Sequence, residues 1–208
     1  MYFRGVIFHC HRFIRSALCY AYMLHHAFRS LVITFFLSCA LAQVPNSITA
    51  PCSDVTCEIQ VDWLRNNGMV AMAAAAMPPE KFGFKPTPEQ QNFGERVLHV
   101  ASINLAILQS LGAKTPAPAI NEKATSKGEI LSSLTKVTEY GTAVLKELKP
   151  DQLTTQRAPP EAMAWFMGPK LTPQRAVYFL MAHAQDTYGQ LVVYLRLNGV
   201  IPPLSRQP

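Results

Sequence analysis

Beyond residue 53, apolar and polar positions recur with the three- and four-residue spacing of a helix, and no stretch alternates with the period of two that marks a strand. From about Asp54 to Met77, Ile59, Trp63, Val70 and Ala73 share a face, and Pro78-Pro79 ends the segment; Gly68 is its weak point. Thr87-Pro88-Glu89-Gln90 supplies an N-cap, a proline at N1 and a glutamine at N3, so a second helix is predicted from this capping box to about Leu111. Along it Val97, Ala101, Leu105 and Gln109 form one line, and Glu95, His99, Ser102 and Ala106 a line beside it. Ser126 with Glu129 opens a third helix, whose apolar positions Ile130, Leu131, Leu134, Val137, Val144, Leu145 and Leu148 keep the period until Lys149-Pro150.

The clearest start and stop belong to the fourth. Thr172 serves as N-cap, Pro173 takes the first helical position, and Gly199 suits the left-handed cap before Pro202-Pro203. Ala176, Phe179, Leu180, His183, Thr187, Gln190, Leu191 and Tyr194 fall on one face, apolar with a polar centre. Just before it, the patch Ala162–Gly168 predicts one or two helical turns over the bundle. Trp165, Phe166 and Met167 either pack there as a lid or form a contact patch for a second copy of the chain. Four helices of roughly 20 to 27 residues without an internal repeat make an all-α four-helix bundle, up-and-down or with crossovers.

Composition narrows the class. With 208 residues, 49% hydrophobic and 15% charged, the chain buries one sizeable core. The formal charge of +6 is concentrated early: Arg4, Arg12, Arg15 and Arg29 precede residue 43, and taking those four from 19 leaves 15 cations against 13 carboxylates. No electrostatic footprint for nucleic acid remains.

Residues 29–42 read as a secretory signal: Arg29, an apolar run from Leu31 to Cys39, then Ala40-Leu41-Ala42 as a small-x-small cleavage site before Gln43. The expected organisation is a leader over 1–42, an arm over 43–53, the bundle over 54–203 and a tail over 204–208. Met23 would give a signal of ordinary length. The run is short for a bilayer of about 30 Å, so no stable transmembrane segment is expected after processing and the mature chain is periplasmic or secreted. The alternative is an uncleaved leader that anchors it to the inner membrane. In an oxidising compartment Cys52 and Cys57 are a candidate disulfide pair, with two free thiols as the alternative.

Sites in helical bundles are built from inward side chains of facing helices, which singles out His99 and His183. Each is a core histidine with a hydrogen-bond partner, or a ligand to a metal held between helices. A ferritin-like centre needs Glu-x-x-His twice, and the chain offers only Glu95 four residues before His99. His-Glu-x-x-His, Gly-x-Ser-x-Gly and phosphate-loop motifs are all absent.

The stretch MPPEKFGFKPTPEQQNFGERVLHVASIN (77–104), followed by HAQDTYGQLVVYLRLNGVIPPLSR (183–206), resembles the DinB-like superfamily of four-helix bundles, in particular its exported bacterial members. The resemblance covers nearly all of the chain after the leader. It implies a three-histidine site for a divalent metal such as nickel or zinc, with one histidine from the second helix and two, at i and i+4, from the fourth. Relatives include metal-dependent thiol transferases and a thiol-dependent isomerase, in which the metal lowers a thiol's pKa as a Lewis acid.

Carried over, the ligands fall on His99 and His183, and the third position holds Thr187, a neutral hydroxyl and a far poorer ligand than imidazole. Asp186 and Glu95 are the candidate substitutes, and Tyr188, Gln190 and Tyr194 the candidate pocket lining. The expected function is that of an exported bundle with a degenerate divalent-metal site between the second and fourth helices. The alternatives are a metal-free bundle that binds a small molecule or a protein, and a metal-dependent thiol transferase or hydrolase. A homodimer is the expected assembly if the Trp165 patch is exposed.

Overall fold

The computed structural model describes residues 51–206, within the unit Ser47–Pro208; the leader, the cleavage site and the arm before Pro51 lie outside the described residues. Four long helices form where the caps predict them, with one exception. α1 (Val55–Ala76) starts on Asp54, whose carboxylate accepts from the backbone N–H groups of Thr56 and Cys57. α3 (Lys127–Glu147) is capped by Ser126, and α4 (Pro173–Leu197) by Thr172, with Gly199 in the left-handed region at φ 72°. Among the described residues no helix is long and apolar enough to cross a membrane.

The exception is α2 (Phe93–Ser110), which begins six residues after the expected Thr87 cap. Its capping box is Asn92 with Glu95: the Asn92 side chain accepts from Glu95 N–H, and Glu95 accepts from Asn92 N–H, both at 2.8 Å. Tertiary contacts select this box. Phe93 N–H donates to Phe84 O and Gly94 N–H to Phe82 O, so the connector's own carbonyls satisfy the helix's first donors. Phe93 is fully buried, edge-on to Phe82 at 5.2 Å.

Cross-helix contacts fix the topology. α1 packs on α3 and α4, and α2 packs on the same two, so α1–α2 and α3–α4 are the diagonals. Trp63 Nε1 donates to Thr138 O, and Lys127 at the start of α3 reaches the carbonyls of Ala75 and Met77 at the end of α1: these helices are antiparallel. Gly94 lies against Ile130, and Gly141 against Leu108, so α2 and α3 are parallel neighbours. His99 meets His183 while Phe93 meets Tyr194, so α2 and α4 are antiparallel. Asn66 meets Gln185, and Lys81 just beyond α1 donates to Asn198 O, so α1 and α4 are parallel.

The bundle therefore runs up, down, down, up, a crossover arrangement. The proline-bearing segment between Leu111 and Ser126 makes the return that parallel α2 and α3 require; α2 is about 27 Å long at 1.5 Å per residue, within reach of such a connection. Core residues from all four helices, Trp63, Phe93, Leu108, Leu134 and Leu191 among them, are almost fully buried. Across the α1–α2 diagonal, the buried Asn104 amide donates to Asn67 Oδ1 at 2.9 Å.

The patch before α4 is not a lid. Its single helical turn, Ala164–Met167, is anchored by Met167, which is 4% exposed, whereas Trp165 is 86% and Phe166 57% exposed. One turn presents one inward position, and the side chains two and one residues earlier necessarily point elsewhere.

Candidate functional site

Of six histidines, four precede residue 27; the other two, His99 and His183, meet across the α2–α4 seam. Each lies at the edge of its helix's buried stripe, flanked inward by Val100 on α2 and by Leu180 and Ala184 on α4. Their ring centroids are 5.1 Å apart with planes at 77°. Phe179, one turn before His183, stacks on its ring at 5.8 Å with planes 5° apart and fixes the imidazole's orientation. Phe166 stands against Phe179 at 5.6 Å and Trp165 against Phe166 at 5.7 Å, so an aromatic row leads from solvent to the histidine pair.

Both imidazoles are held neutral at physiological pH. Burial is the first cause for each. His99 is lowered further by the Arg96 guanidinium one turn before it, and His183 is lowered to about 4 by burial, then by His99 and Arg96, against the opposing pull of Asp186. A neutral imidazole offers a nitrogen lone pair, which is what a metal ion or a hydrogen-bond donor requires. The Nδ1 atom of His183 is buried and has no partner, as is the Nε of Arg96.

Two of these observations suit a divalent ion. A ring bound at about 2.1 Å has its centroid about 3.2 Å from the ion, and two such rings at a tetrahedral angle stand about 5 Å apart. The separation of His99 and His183 matches, and the orphaned Nδ1 lacks an electron-pair acceptor or donor. The rest of the donor set is short. Among the described residues no third His, Cys, Asp or Glu converges on the pair.

Thr187, 1% exposed, occupies the i+4 position from His183. Glu95 is engaged in the α2 capping box and Asp186 accepts from Gln190 Nε2 at 2.7 Å, so neither sequence-proposed substitute stands free. The residues fit two ligands of an ion, not three.

The remaining lining candidates separate. Gln190 is tied to Asp186. Tyr194 is buried and donates its hydroxyl to Gln91 O at 2.8 Å while packing on Phe84 and Phe93, which makes it a clamp on the entry to α2. Tyr188, five residues past His183, lies about 140° round the helix at 100° per residue, away from the pair. Phe179 lies on the inward face the sequence assigns it and Phe166 in the predicted patch; Arg96 is the neighbour that sequence reasoning passed over, and its i, i+3 spacing to His99 was the available signal. Cys52 and Cys57 form a disulfide beside the first turn of α1.

Similarity to solved structures agrees with the fold. A DinB-like protein from Bacillus cereus is 20% identical, with 70% of this chain and 93% of that one covered at a TM-score of 0.59. The DinB-like protein YjoA from Bacillus subtilis is 18% identical, with 73% and 99% covered at 0.54. YfiT from Bacillus subtilis, described as a probable metal-dependent hydrolase with an unusual four-helix bundle topology, is 15% identical, with 73% and 94% covered at 0.55. Among curated proteins none matches the sequence. The model of the DinB superfamily matches residues 63–191, most of the bundle and both histidines, and the chain belongs to that superfamily.

Proposed function

We propose that this is an exported DinB-like protein whose α2–α4 seam binds a divalent ion such as nickel or zinc weakly, through His99 and His183. The observation that carries the reading is the pair itself: two neutral imidazoles 5.1 Å apart, one with a buried, partnerless Nδ1. Two imidazoles leave the remaining coordination positions to exogenous ligands, so affinity stays low and the ion exchanges readily. When bound, it would supply Lewis-acid polarisation of such a ligand. His99 and His183 would hold it, Phe179 would fix the ring plane of His183, and Arg96 would favour an anionic co-ligand.

Calorimetric titration of untagged protein with zinc or nickel tests this. Saturable binding is expected in the wild type and none in His99→Ala or His183→Ala. Thr187→His should restore the third imidazole and tighten binding by at least about tenfold, provided circular dichroism shows the variant folded. Wild-type protein that takes up no ion, or binding that survives both alanine substitutions, overturns the reading.

A second reading is favoured by the buried Thr187. In it the seam is a metal-free pocket for a small molecule, and the histidines act as hydrogen-bonding groups. It predicts no metal uptake by wild type or variants, and a change in stability alone on histidine substitution. A metal-dependent hydrolase, as YfiT is described, or a metal-dependent thiol transferase requires a stronger donor set than these residues provide.

Export is supported by the disulfide between Cys52 and Cys57, which suits an oxidising compartment. Sequencing the mature N-terminus checks it, with Gln43 expected. The exposed Trp165 and Phe166 are the surface a homodimer would cover, and sedimentation showing monomer alone would remove that assembly.

A further inference from the structure

The end of the bundle where α2 and α3 stop carries a cavity of about 440 Å³, within the usual range for small-molecule sites. Its apolar wall is Leu111, Val144 and Leu148, and its charged groups are Lys114, Lys149, Arg157 and Glu147. Arg157 is held from behind: its backbone pairs with Leu171 in both directions, at 2.8 and 2.9 Å. The guanidinium lies over Gly112, whose φ is 70° and where a Cβ would stand 2.8 Å from Arg157 Nη1. Glycine there gives the fork its room.

What the fork lacks is an acceptor. Arg157 Nε is buried without a partner, and the one ion pair among the described residues is Arg65 with Asp62. Glu147 does not serve, because its two oxygens accept from Lys114 N–H and Thr115 N–H. Arg157 is half-buried, and a guanidinium whose Nε is shut off from water without a partner is costly unless an anion completes it.

Charge counting sets the size of that anion. Three cations against one carboxylate leave a surplus of two. Because α2 and α3 are parallel, both end here, and two helix C-termini contribute about half a negative charge each. The net excess is about one positive charge, beside an apolar wall.

We propose that this cavity binds a small organic mono-anion, its oxyanion head on Arg157 and its apolar body against Leu111, Val144 and Leu148. The site is separate from the histidine pair and does not depend on metal binding there. Lys114 and Lys149 at the rim raise the local concentration of anions and make the affinity fall with salt.

Calorimetry on the folded protein with hexanoate as probe tests this, with 1-hexanol and inorganic phosphate as comparison ligands. Hexanoate should bind saturably and at least about tenfold more tightly than hexanol or phosphate, since head and body are both read. Arg157→Gln should weaken hexanoate at least about tenfold. If that variant unfolds, Lys114→Ala/Lys149→Ala should still weaken it several-fold and flatten its salt dependence. His99→Ala/His183→Ala should leave hexanoate binding intact, which separates this site from the seam.

No saturable hexanoate binding overturns the proposal, as does equal affinity for hexanol. Equal affinity for phosphate also overturns it, because the apolar wall then contributes nothing to recognition. Hexanoate binding unchanged by Arg157→Gln, or lost in the histidine double variant, places the anion elsewhere and overturns the site.

Discussion

Acidification should destabilise the bundle through His183, and the size of the effect follows from its surroundings. In the unfolded chain a histidine titrates near 6.5, whereas in the fold burial, His99 and Arg96 hold His183 at about 4. As pH falls through 6.5 the unfolded chain takes up the proton first. Stability is therefore complete above about pH 6.5, declines toward pH 4 and levels off once the folded state is protonated too. The gap is about 2.5 units at about 1.4 kcal/mol each, a ceiling near 3.5 kcal/mol; solvent at the half-buried ring brings the expectation to about 2 kcal/mol.

His99 is displaced in the same direction and adds to the slope. Urea denaturation at pH 7.5 and 4.5, on wild type and His183→Gln, isolates the term, because carboxylate contributions are common to both proteins and cancel in the difference. The variant should lose about 2 kcal/mol less than the wild type on acidification. Equal losses, or an imidazole of His183 that titrates near 6.5 by NMR, would refute the reasoning.

Packing makes one kind of substitution come out with opposite signs at two glycines. A Cβ on Gly141 would meet Trp63 Cε2 at 2.6 Å and Leu108 at 2.9 Å, and Trp63 is pinned by its bond to Thr138 O. Gly141→Ala should thus cost about 2 kcal/mol despite the better helix propensity, while Gly189→Ala, with open space around it, should gain about 0.5–1 kcal/mol, both read by urea denaturation. Reducing the disulfide, which joins residues five apart in sequence, should cost at most about 2 kcal/mol and loosen only the first turn of α1, seen as faster amide exchange there.

The element starts were legible wherever a side chain caps the backbone by itself. Asp54, Ser126 and Thr172 do so, and the helices they open begin where the sequence reading puts them. α2 was not, because two capping boxes compete within a few residues and the choice belongs to Phe82 and Phe84, whose carbonyls take the first N–H groups of the later one. Helix order was equally illegible: periodicity gives each helix an inner face but does not say which neighbour covers it.

The same limit applies to the site. His99 and His183 were visible as inward positions on two helices, while the relation of Arg96 to both depends on how α2 turns against α4. Trp165 was left open between lid and contact patch because an apolar triplet suits either, until the geometry of one turn leaves room for a single anchor, Met167.

The crossover order gives the histidine pair a role that ligand geometry alone does not suggest. From residue 99 to residue 183 the chain passes through the rest of α2, all of α3 and half of α4, so the two rings sit at the ends of an 84-residue span. Anything that bridges them binds the folded bundle and not the open chain, so it stabilises the whole domain rather than one local hairpin. Even a weakly held ion would therefore link the stability of the entire domain to the free ion concentration.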